Sequence, residues 1–228
     1  MAYEYEINQL VKEESWRMFR IIGEMVSGFD TLTNNIEPAV TIYGSARLRV
    51  DDELYTQTVE IARRLGEVGF SIVTGGGPGV MEAANKGAVE AGVPSIGLNI
   101  ELPEEQVCNP YTTKSITFRH FFVRKVMLVK YATAFVIIPG GLGTLDELTE
   151  VLTLMQTHKI KPFPVLLFDG NYWKGLLEWL RNITLARGFV SEEDFQLLRI
   201  CDKPSQVTDI VQQWYMKHEI IGRRAVVK

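Results

Sequence analysis

A carboxylate follows a glycine-rich turn in the segment Phe135–Gln156, which reads FVIIPGGLGTLDELTEVLTLMQ. An apolar run passes through Pro139 to Thr144 into an amphipathic helical pattern, which places Glu147 at the predicted start of a helix. Glycines let backbone N–H groups close on phosphate oxygens, and a helix N-terminus favours anions. Thr144 and Glu147 also fit a Thr-x-x-Glu capping box, the better explanation of Glu147 when it is viewed alone. The segment therefore predicts either a capped helix or a phosphate beside a reactive carboxylate.

Two further glycine turns follow predicted strands, one at Gly44-Ser45 and one from Gly75 to Gly79. In an open parallel sheet, ligands bind where loops leave the carboxyl ends of the strands. The turn GGGPGV lacks the third glycine of GxGxxG, and the chain has no GxxxxGKS or GxxxxGKT, so a dinucleotide and a magnesium-bound nucleoside triphosphate are disfavoured. Three such turns in one sheet favour a small monophosphate as the ligand.

Arg124 and Lys125 are candidate cations for a phosphate site at these turns. They interrupt apolar residues in the helical segment FRHFFVRKVMLVKYA, which precedes the predicted strand at 134–138. A solvated helix face explains this pair when it is viewed alone. Arg124, however, carries a fork of donors suited to a phosphate or a planar base. A cation near Glu147 would also keep that carboxylate ionised beside a phosphate. Glu147 lies off the apolar seam of its own predicted helix, which is formed by Leu145, Leu148, Leu152 and Met155.

The order of the predicted elements indicates an α/β fold. Predicted strands cover residues 40–43, 70–74, 95–100, 134–138, 164–168 and 198–201, and predicted helices cover 4–29, 52–68, 80–91, 117–131, 172–187 and 205–218, with a loop at 101–114. Continuously apolar strands that alternate with helices are typical of a parallel sheet covered on both faces. We therefore expect a Rossmann-like, three-layer, doubly wound parallel sheet in a single domain at 38–218, with a helical N-terminal extension at 1–37 and a tail at 219–228.

Composition limits the partners and the compartment. The chain has 228 residues, of which 46% are apolar and 23% charged, as in soluble globular proteins. Its net charge of −4 gives no overall attraction to nucleic acid or to anionic membranes. A start without the layout of a signal peptide and the lack of a long apolar run predict a cytoplasmic protein. Cys108 and Cys201 have no disulfide or zinc spacing, so we expect buried, inert thiols and no metal.

The motif GGGPGVMEAANKGA, the Arg-Lys pair and PGGLGTLDE together resemble the LONELY GUY family, long labelled "possible lysine decarboxylase", whose motif is PGGxGTxxE after an upstream Arg-Lys. The resemblance runs from about Pro38 to Asp169. It implies a Rossmann-like homodimer or higher oligomer that hydrolyses the N-glycosidic bond of nucleoside 5′-monophosphates to free base and ribose 5-phosphate. No cofactor is expected. In plants the substrate is a cytokinin nucleotide; here aromatic residues surround the Arg-Lys pair, so AMP or another ordinary nucleotide is the expected substrate.

The resemblance assigns catalysis to Arg124 and Glu147. Ionised Glu147 would stabilise an oxocarbenium-like ribose or activate water, while Arg124 would orient the nucleotide or the departing base. Substrate binding is assigned to Gly44, Ser45, Gly76, Gly77, Glu105, Lys125, Gly140, Gly141, Leu142, Gly143, Thr144 and Thr153. Lysine decarboxylation is not expected, because nothing in the sequence marks a Schiff-base lysine with pyridoxal partners. The alternative is a non-catalytic nucleotide-binding or carrier protein of the same superfamily, in which Glu147 serves only as a cap.

Overall fold

Strands and helices alternate along the computed structural model, which describes residues 14–33, 38–102 and 108–226. The strands are β1 (Ala39–Tyr43), β2 (Ser71–Thr74), β3 (Ser95–Ile100), β4 (Lys114–Phe118), β5 (Ala132–Ile137), β6 (Val165–Phe168) and β7 (Leu198–Cys201). The helices are α1 (Glu14–Leu32), α2 (Glu53–Glu67), α3 (Val80–Glu90), α4 (Phe121–Lys130), α5 (Leu142–Gln156), α6 (Gly170–Trp179), α7 (Glu192–Phe195) and α8 (Pro204–Val226), and α6 continues into a π-helix at Leu180–Leu185. No helix among these residues combines the length and apolar character that crossing a bilayer requires.

The seven strands form one sheet in the order β4-β3-β2-β1-β5-β6-β7. Every neighbouring pair is parallel. Within the sheet, the chain enters at the central strand β1 and continues outward on one side through β2, β3 and β4. It then crosses to the other side of β1 and continues outward through β5, β6 and β7. This confirms the predicted doubly wound parallel sheet. The direction of winding reverses between β1 and β5, and the loops that leave these two strands diverge and open a crevice there.

Helices cover both faces of the sheet because alternate residues of each strand point to opposite layers. In β5, Phe135 and Ile137 belong to the core beneath α1, α4, α5 and α6. Ala134 and Val136 belong to the core beneath α2, α3 and α8. The central strand β1 is buried along its whole length, which explains its continuously apolar sequence.

Strand β4 is the main departure from the sequence prediction, which treated 101–114 as a loop and 117–131 as a helix. Its side chains alternate between exposed and partly or fully buried positions, because β4 lies at the edge of the sheet and pairs with β3 alone. Ser115 and Thr117 occupy the exposed positions, so the segment lacks the apolar continuity of the inner strands. The helix that follows begins only at Phe121.

The two cysteines differ in their surroundings. Cys201 ends strand β7 and is buried, as predicted. Cys108 is exposed, so the prediction of a buried thiol is wrong there. The physical reason is its position between β3 and β4, outside the helices and strands that pack in the core.

Candidate functional site

A cleft of about 670 Å³ opens beyond the carboxyl ends of the strands, at the point where the winding reverses. The turn after β1 lines one side, through residues 43–47. The first residues of α5 line the other side, together with Asp146 and Glu147. Gly75 contributes from the turn after β2, Met81 from the start of α3, and Phe121 and Arg124 from α4. The cleft therefore collects parts of all three glycine turns and of the Arg-Lys helix.

The main chain of Ser45 joins the three glycine turns. Its N–H donates to the carbonyl of Pro139 at 3.1 Å, and its carbonyl accepts from the N–H of Val80 at 3.0 Å. Two glycines make this close approach feasible. A Cβ at Gly44 would lie 2.6 Å from a methyl group of Val80, and one at Gly140 would lie 2.8 Å from the nitrogen of Ser45. The rim of the cleft is thus a single hydrogen-bonded framework.

Helix α5 presents an uncapped N-terminus to the cleft. The helix begins at Leu142, with Gly141 as its N-cap and without a side-chain cap. The first N–H groups of a helix have no partner inside it. A Cβ at Gly141 or at Gly143 would meet nothing within 4 Å, so the backbone here faces open space. Such N–H groups form an anion site at the positive end of the helix dipole.

The capping box, one of the two alternatives for the Thr-x-x-Glu pattern, does not form. Thr144 is the third residue of α5 rather than its N-cap, because the chain enters the helix through Gly140 and Gly141, ahead of the Thr-x-x-Glu pattern. Glu147 consequently lies in the second helical turn, beyond reach of a capping role, and its side chain lines the cleft.

Glu147 is a largely buried carboxyl group whose Oε2 atom has no hydrogen-bond partner among the residues that the structure describes. Burial raises its pKa to about 7, although the charges of Arg124 and Lys125 pull it down, and Glu150 and Asp146 add to the rise. The ionised form expected from the sequence therefore predominates only above about pH 7. A carboxyl group that is poised between its two protonation states near neutral pH is suited to proton transfer.

Arg124 is fixed at its inner end and free at its outer end. Its Nε donates to the carbonyl of Leu98 at 2.6 Å, while its Nη atoms make no hydrogen bond to the described residues. Burial lowers the pKa of the guanidinium, and the neighbouring Glu147 opposes that effect. Arg124 and Glu147 thus interact electrostatically across the cleft without a salt bridge in the described structure. The free fork of donors is available to a ligand.

Lys125 lies behind the cleft and ties α4 to α5. Its ammonium group is 2.9 Å from a carboxylate oxygen of Asp146 and 3.2 Å from one of Glu150. Partial burial would lower its pKa, but the hydrogen bonds to Asp146 and Glu150 outweigh burial and raise it. Lys125 therefore remains a cation that fixes the acidic residues on either side of Glu147.

A sequence profile of the family described as "Possible lysine decarboxylase" matches residues 81–211, which is more than half of the chain. The chain belongs to this family. The cytokinin riboside 5′-monophosphate phosphoribohydrolase LOG of Oryza sativa subsp. japonica is 29% identical over 168 residues, covering 71% of this chain and 67% of that protein. The corresponding LOG2 of Arabidopsis thaliana is 28% identical over 167 residues, covering 71% and 76%.

A solved structure shows the same fold. The molybdenum cofactor binding protein from the phototrophic bacterium Rippkaea orientalis superposes with a TM-score of 0.57 at 20% identity, and the match covers 77% of this chain and 94% of that one. This likeness concerns the fold alone. It agrees with the Rossmann-like architecture that the sequence indicated, and the family profile agrees with the LONELY GUY resemblance.

The candidate site residues of this "possible lysine decarboxylase" family member divide into four sets by their position relative to the cleft. Those that line the cleft are Gly44, Ser45, Arg124, Gly141, Leu142, Gly143, Thr144 and Glu147. Those that do not belong to its lining are Gly76, Gly77, Lys125 and Gly140. Thr153 is exposed, donates its hydroxyl hydrogen to the carbonyl of Thr149 at 2.7 Å, and lines a separate pocket beside the π-helix. Glu105 lies outside the described residues.

A buried polar network that the sequence analysis missed supports Gly76 and Gly77. The Asn109 amide donates to the Gly77 carbonyl and to Asn85 Oδ1, both at 3.0 Å. Thr74 donates to the same Asn85 oxygen at 2.6 Å and accepts from the N–H of Gly76 at 3.0 Å. One signal was present in the sequence: Asn85 is a polar residue between the apolar core positions Ala84 and Ala88 of α3.

Tyr43 was also missed. It lines the cleft and is buried, and no other residue in the described part of the chain makes a hydrogen bond to its hydroxyl group. Burial raises its pKa well above the ordinary value, and the charges of Glu147 and Glu150 raise it further. Its position as the last residue of β1, directly before Gly44, was the available signal, because side chains at strand ends face the ligand crevice in this fold.

Proposed function

We propose that the protein hydrolyses the N-glycosidic bond of nucleoside 5′-monophosphates, giving free base and ribose 5-phosphate. The observation that carries this proposal is the placement of Glu147, with a pKa of about 7, in one cleft with Arg124 and the uncapped start of α5. The names of the plant relatives, which act on cytokinin riboside 5′-monophosphates, support the same reaction class.

The residues suit each part of this reaction. The 5′-phosphate binds to the N–H groups at the start of α5. The oxygen of water bonds to C1′ while the C1′–N bond breaks, and the bonding electrons leave with the base, which takes up a proton. Ionised Glu147 receives the proton of the attacking water or stabilises the positive charge that develops on the ribose. Arg124 offers its free donors to the nucleotide or to the departing base.

Decarboxylation through a pyridoxal Schiff base does not fit these residues. The described residues that line the cleft include no lysine. Lys125, the nearest candidate, is held as an ammonium ion by Asp146 and Glu150, which raise its pKa. A Schiff-base lysine needs the opposite, a neutral amine with a lowered pKa.

We expect AMP or another ordinary nucleotide to be the substrate. The part of the cleft near Arg124 offers apolar surface from Met81, Leu102 and Phe121, and Phe121 is 52% exposed. An aromatic ring in this position can stack on a planar base. A panel of nucleoside monophosphates that includes AMP and cytokinin nucleotides, read by chromatography of released bases, tests the activity and the preference. Release of no base from any of them at micromolar enzyme would contradict the proposal.

The variant Glu147→Gln separates the enzyme from a non-catalytic binding protein. It should lower kcat by about 10²- to 10⁴-fold, because the proton-transfer group is lost, while nucleotide binding persists. The control is Glu178→Gln, an exposed glutamate of α6 remote from the cleft, which should retain wild-type turnover. Nucleotide binding by a wild-type protein that releases no base would favour the carrier alternative.

We also propose that the protein assembles as a homodimer or a higher homo-oligomer through an apolar surface on α1 and α4. On α1, Trp16 and Phe19 are 69% and 67% exposed, and Ile22 and Val26 continue the stripe at helical spacing. On the neighbouring helix α4, Phe122 and Val126 are also exposed. Contiguous exposed apolar patches of this kind mark interaction sites.

A further inference from the structure

A carboxylate from the N-terminal helix caps the helix that carries Arg124. Glu24 of α1 accepts the backbone N–H of Arg119 on Oε1 and that of His120 on Oε2, both at 3.2 Å. Its Oε1 also lies 3.1 Å from Nδ1 of the His120 ring. His120 is the N-cap residue of α4 and makes no side-chain cap of its own. Glu24 therefore supplies the cap that α4 lacks locally.

This cap is one end of a longer contact between α1 and α4. In the middle, α1 approaches so closely that a Cβ at Gly28 would lie 2.9 Å from Cε of Met127. At the far end, the hydroxyl groups of Thr33 and Tyr131 are 3.1 Å apart. The two helices thus lie side by side in the same direction from the first turn of α4 to its end.

The capped turn leads directly to Arg124. The carbonyl of His120 accepts the N–H of Arg124 at 3.2 Å, so the residue that Glu24 fixes is bonded to the backbone of Arg124. From there the guanidinium reaches the carbonyl of Leu98 and lies over Gly75. The location of the first turn of α4 consequently determines where the free Nη atoms lie in the cleft.

We propose that Glu24 is a positioning residue: it fixes the first turn of α4 and thereby the guanidinium of Arg124. The inference rests on the proposed function, since it assigns to Arg124 the contact with the nucleotide. In this proposal, helix α1 contributes to the geometry of the site through Glu24. A cap that served only stability would leave the turnover of the folded protein unchanged.

Kinetics of the full chain test this role. Glu24→Ala should lower kcat/KM for AMP about 10- to 100-fold, because a small displacement of a positioned group is costly. Glu24→Gln keeps one acceptor oxygen, so its kcat/KM should lie between that of Glu24→Ala and that of the wild type. Asp30→Asn, an exposed acid of the same helix, should match the wild type.

In an Arg124→Ala background, Glu24→Ala should cause no further loss, since both changes act on one group. Wild-type kcat and KM in folded Glu24→Ala would overturn the proposal.

A second measurement does not depend on turnover. The ¹⁵N spectrum of the wild type should show the Nε–H group of Arg124 protected from solvent exchange by its bond to Leu98, with Arg124→Lys providing the assignment. Glu24→Ala should speed this exchange and that of the Arg124 backbone N–H at least 10-fold. If Glu24→Ala fails to fold, Glu24→Gln is measured, and we expect a smaller acceleration. Unchanged exchange at both groups would overturn the inference, even if the protein hydrolyses nucleotides. Faster exchange in a protein without activity would refute only the proposed function.

Discussion

The guanidinium of Arg124 lies directly over the backbone of Gly75, so closely that a Cβ at residue 75 would collide with Nη2. The same Cβ would lie 2.7 Å from the sulfur of Met81. Gly75 is not among the glycines with a positive φ. The requirement for glycine here is therefore one of space, and it links the second glycine turn to the charged group on α4.

This contact predicts that Gly75→Ala impairs activity more than folding. The added methyl group must displace either Arg124 or Met81 from the cleft, and misplacement of a positioned group by about 1 Å can cost up to about 100-fold in rate. We expect kcat/KM to fall about 10- to 100-fold, with a loss of stability of about 1–3 kcal/mol from overpacking. Steady-state kinetics and thermal unfolding measure the two effects. Gly175→Ala on α6, where a Cβ meets nothing within 4 Å, should leave the kinetics intact. Wild-type kinetics in Gly75→Ala would contradict the prediction.

The raised pKa of Glu147 predicts a cost in stability at neutral and alkaline pH. In the unfolded chain this carboxyl group loses its proton near pH 4.5, whereas in the folded protein it keeps the proton up to about pH 7. Between these values the folded state binds more protons, so the free energy of unfolding falls as pH rises, and the loss is complete above about pH 7. At about 1.4 kcal/mol per pKa unit, the rise from 4.5 to about 7 corresponds to a cost on the order of 3–4 kcal/mol.

Glu147→Gln removes this cost. The variant should be more stable than the wild type at pH 8, with Tm higher by several degrees, and nearly equal to it at pH 4, where the carboxyl group is protonated in both states. Thermal unfolding across this pH range measures the difference, with Glu178→Gln as the control. A Glu147→Gln protein that is less stable than the wild type at pH 8 would show that burial of the charge is not what raises the pKa.

The pH dependence of turnover should have its acid limb at the pKa of Glu147. If the ionised form is active, kcat/KM for AMP rises with pH and reaches half its maximum at about pH 7. The negative charge of Glu150 contributes to that raised pKa, so Glu150→Gln should move the midpoint to lower pH. A pH–rate profile of each protein measures the shift. The same midpoint in both proteins, or activity that falls with rising pH, would assign the limb to another group.

Sequence patterns within single segments predicted the inner strands and the glycine turns. The continuously apolar inner strands and the glycine turns follow from burial on two faces and from close backbone approach, so they are visible in the sequence. Strand β4 was missed because an edge strand shows polar alternation. The alternative of a capping box formed by Thr144 and Glu147 does not hold, because Gly141 allows the helix to start earlier in the chain. The contacts of Glu24 with His120 and of Arg124 with Leu98 join segments far apart in the chain, and local periodicity carries no information about such pairs.

The apolar surface on α1 predicts how the proposed oligomer can be broken. Phe19→Glu places a charge in the middle of the stripe formed by Trp16, Phe19, Ile22 and Val26, and burying an unpaired carboxylate in an apolar contact is costly. Because Phe19 is 67% exposed in the single chain, the fold itself should tolerate the change. Size-exclusion chromatography with light scattering should report an oligomer for the wild type and a monomer for Phe19→Glu. Glu178→Gln, an exposed glutamate on α6 rather than on the apolar surface, should remain oligomeric. A monomeric wild type would refute the proposed assembly, and an oligomeric Phe19→Glu protein would move the interface to another surface.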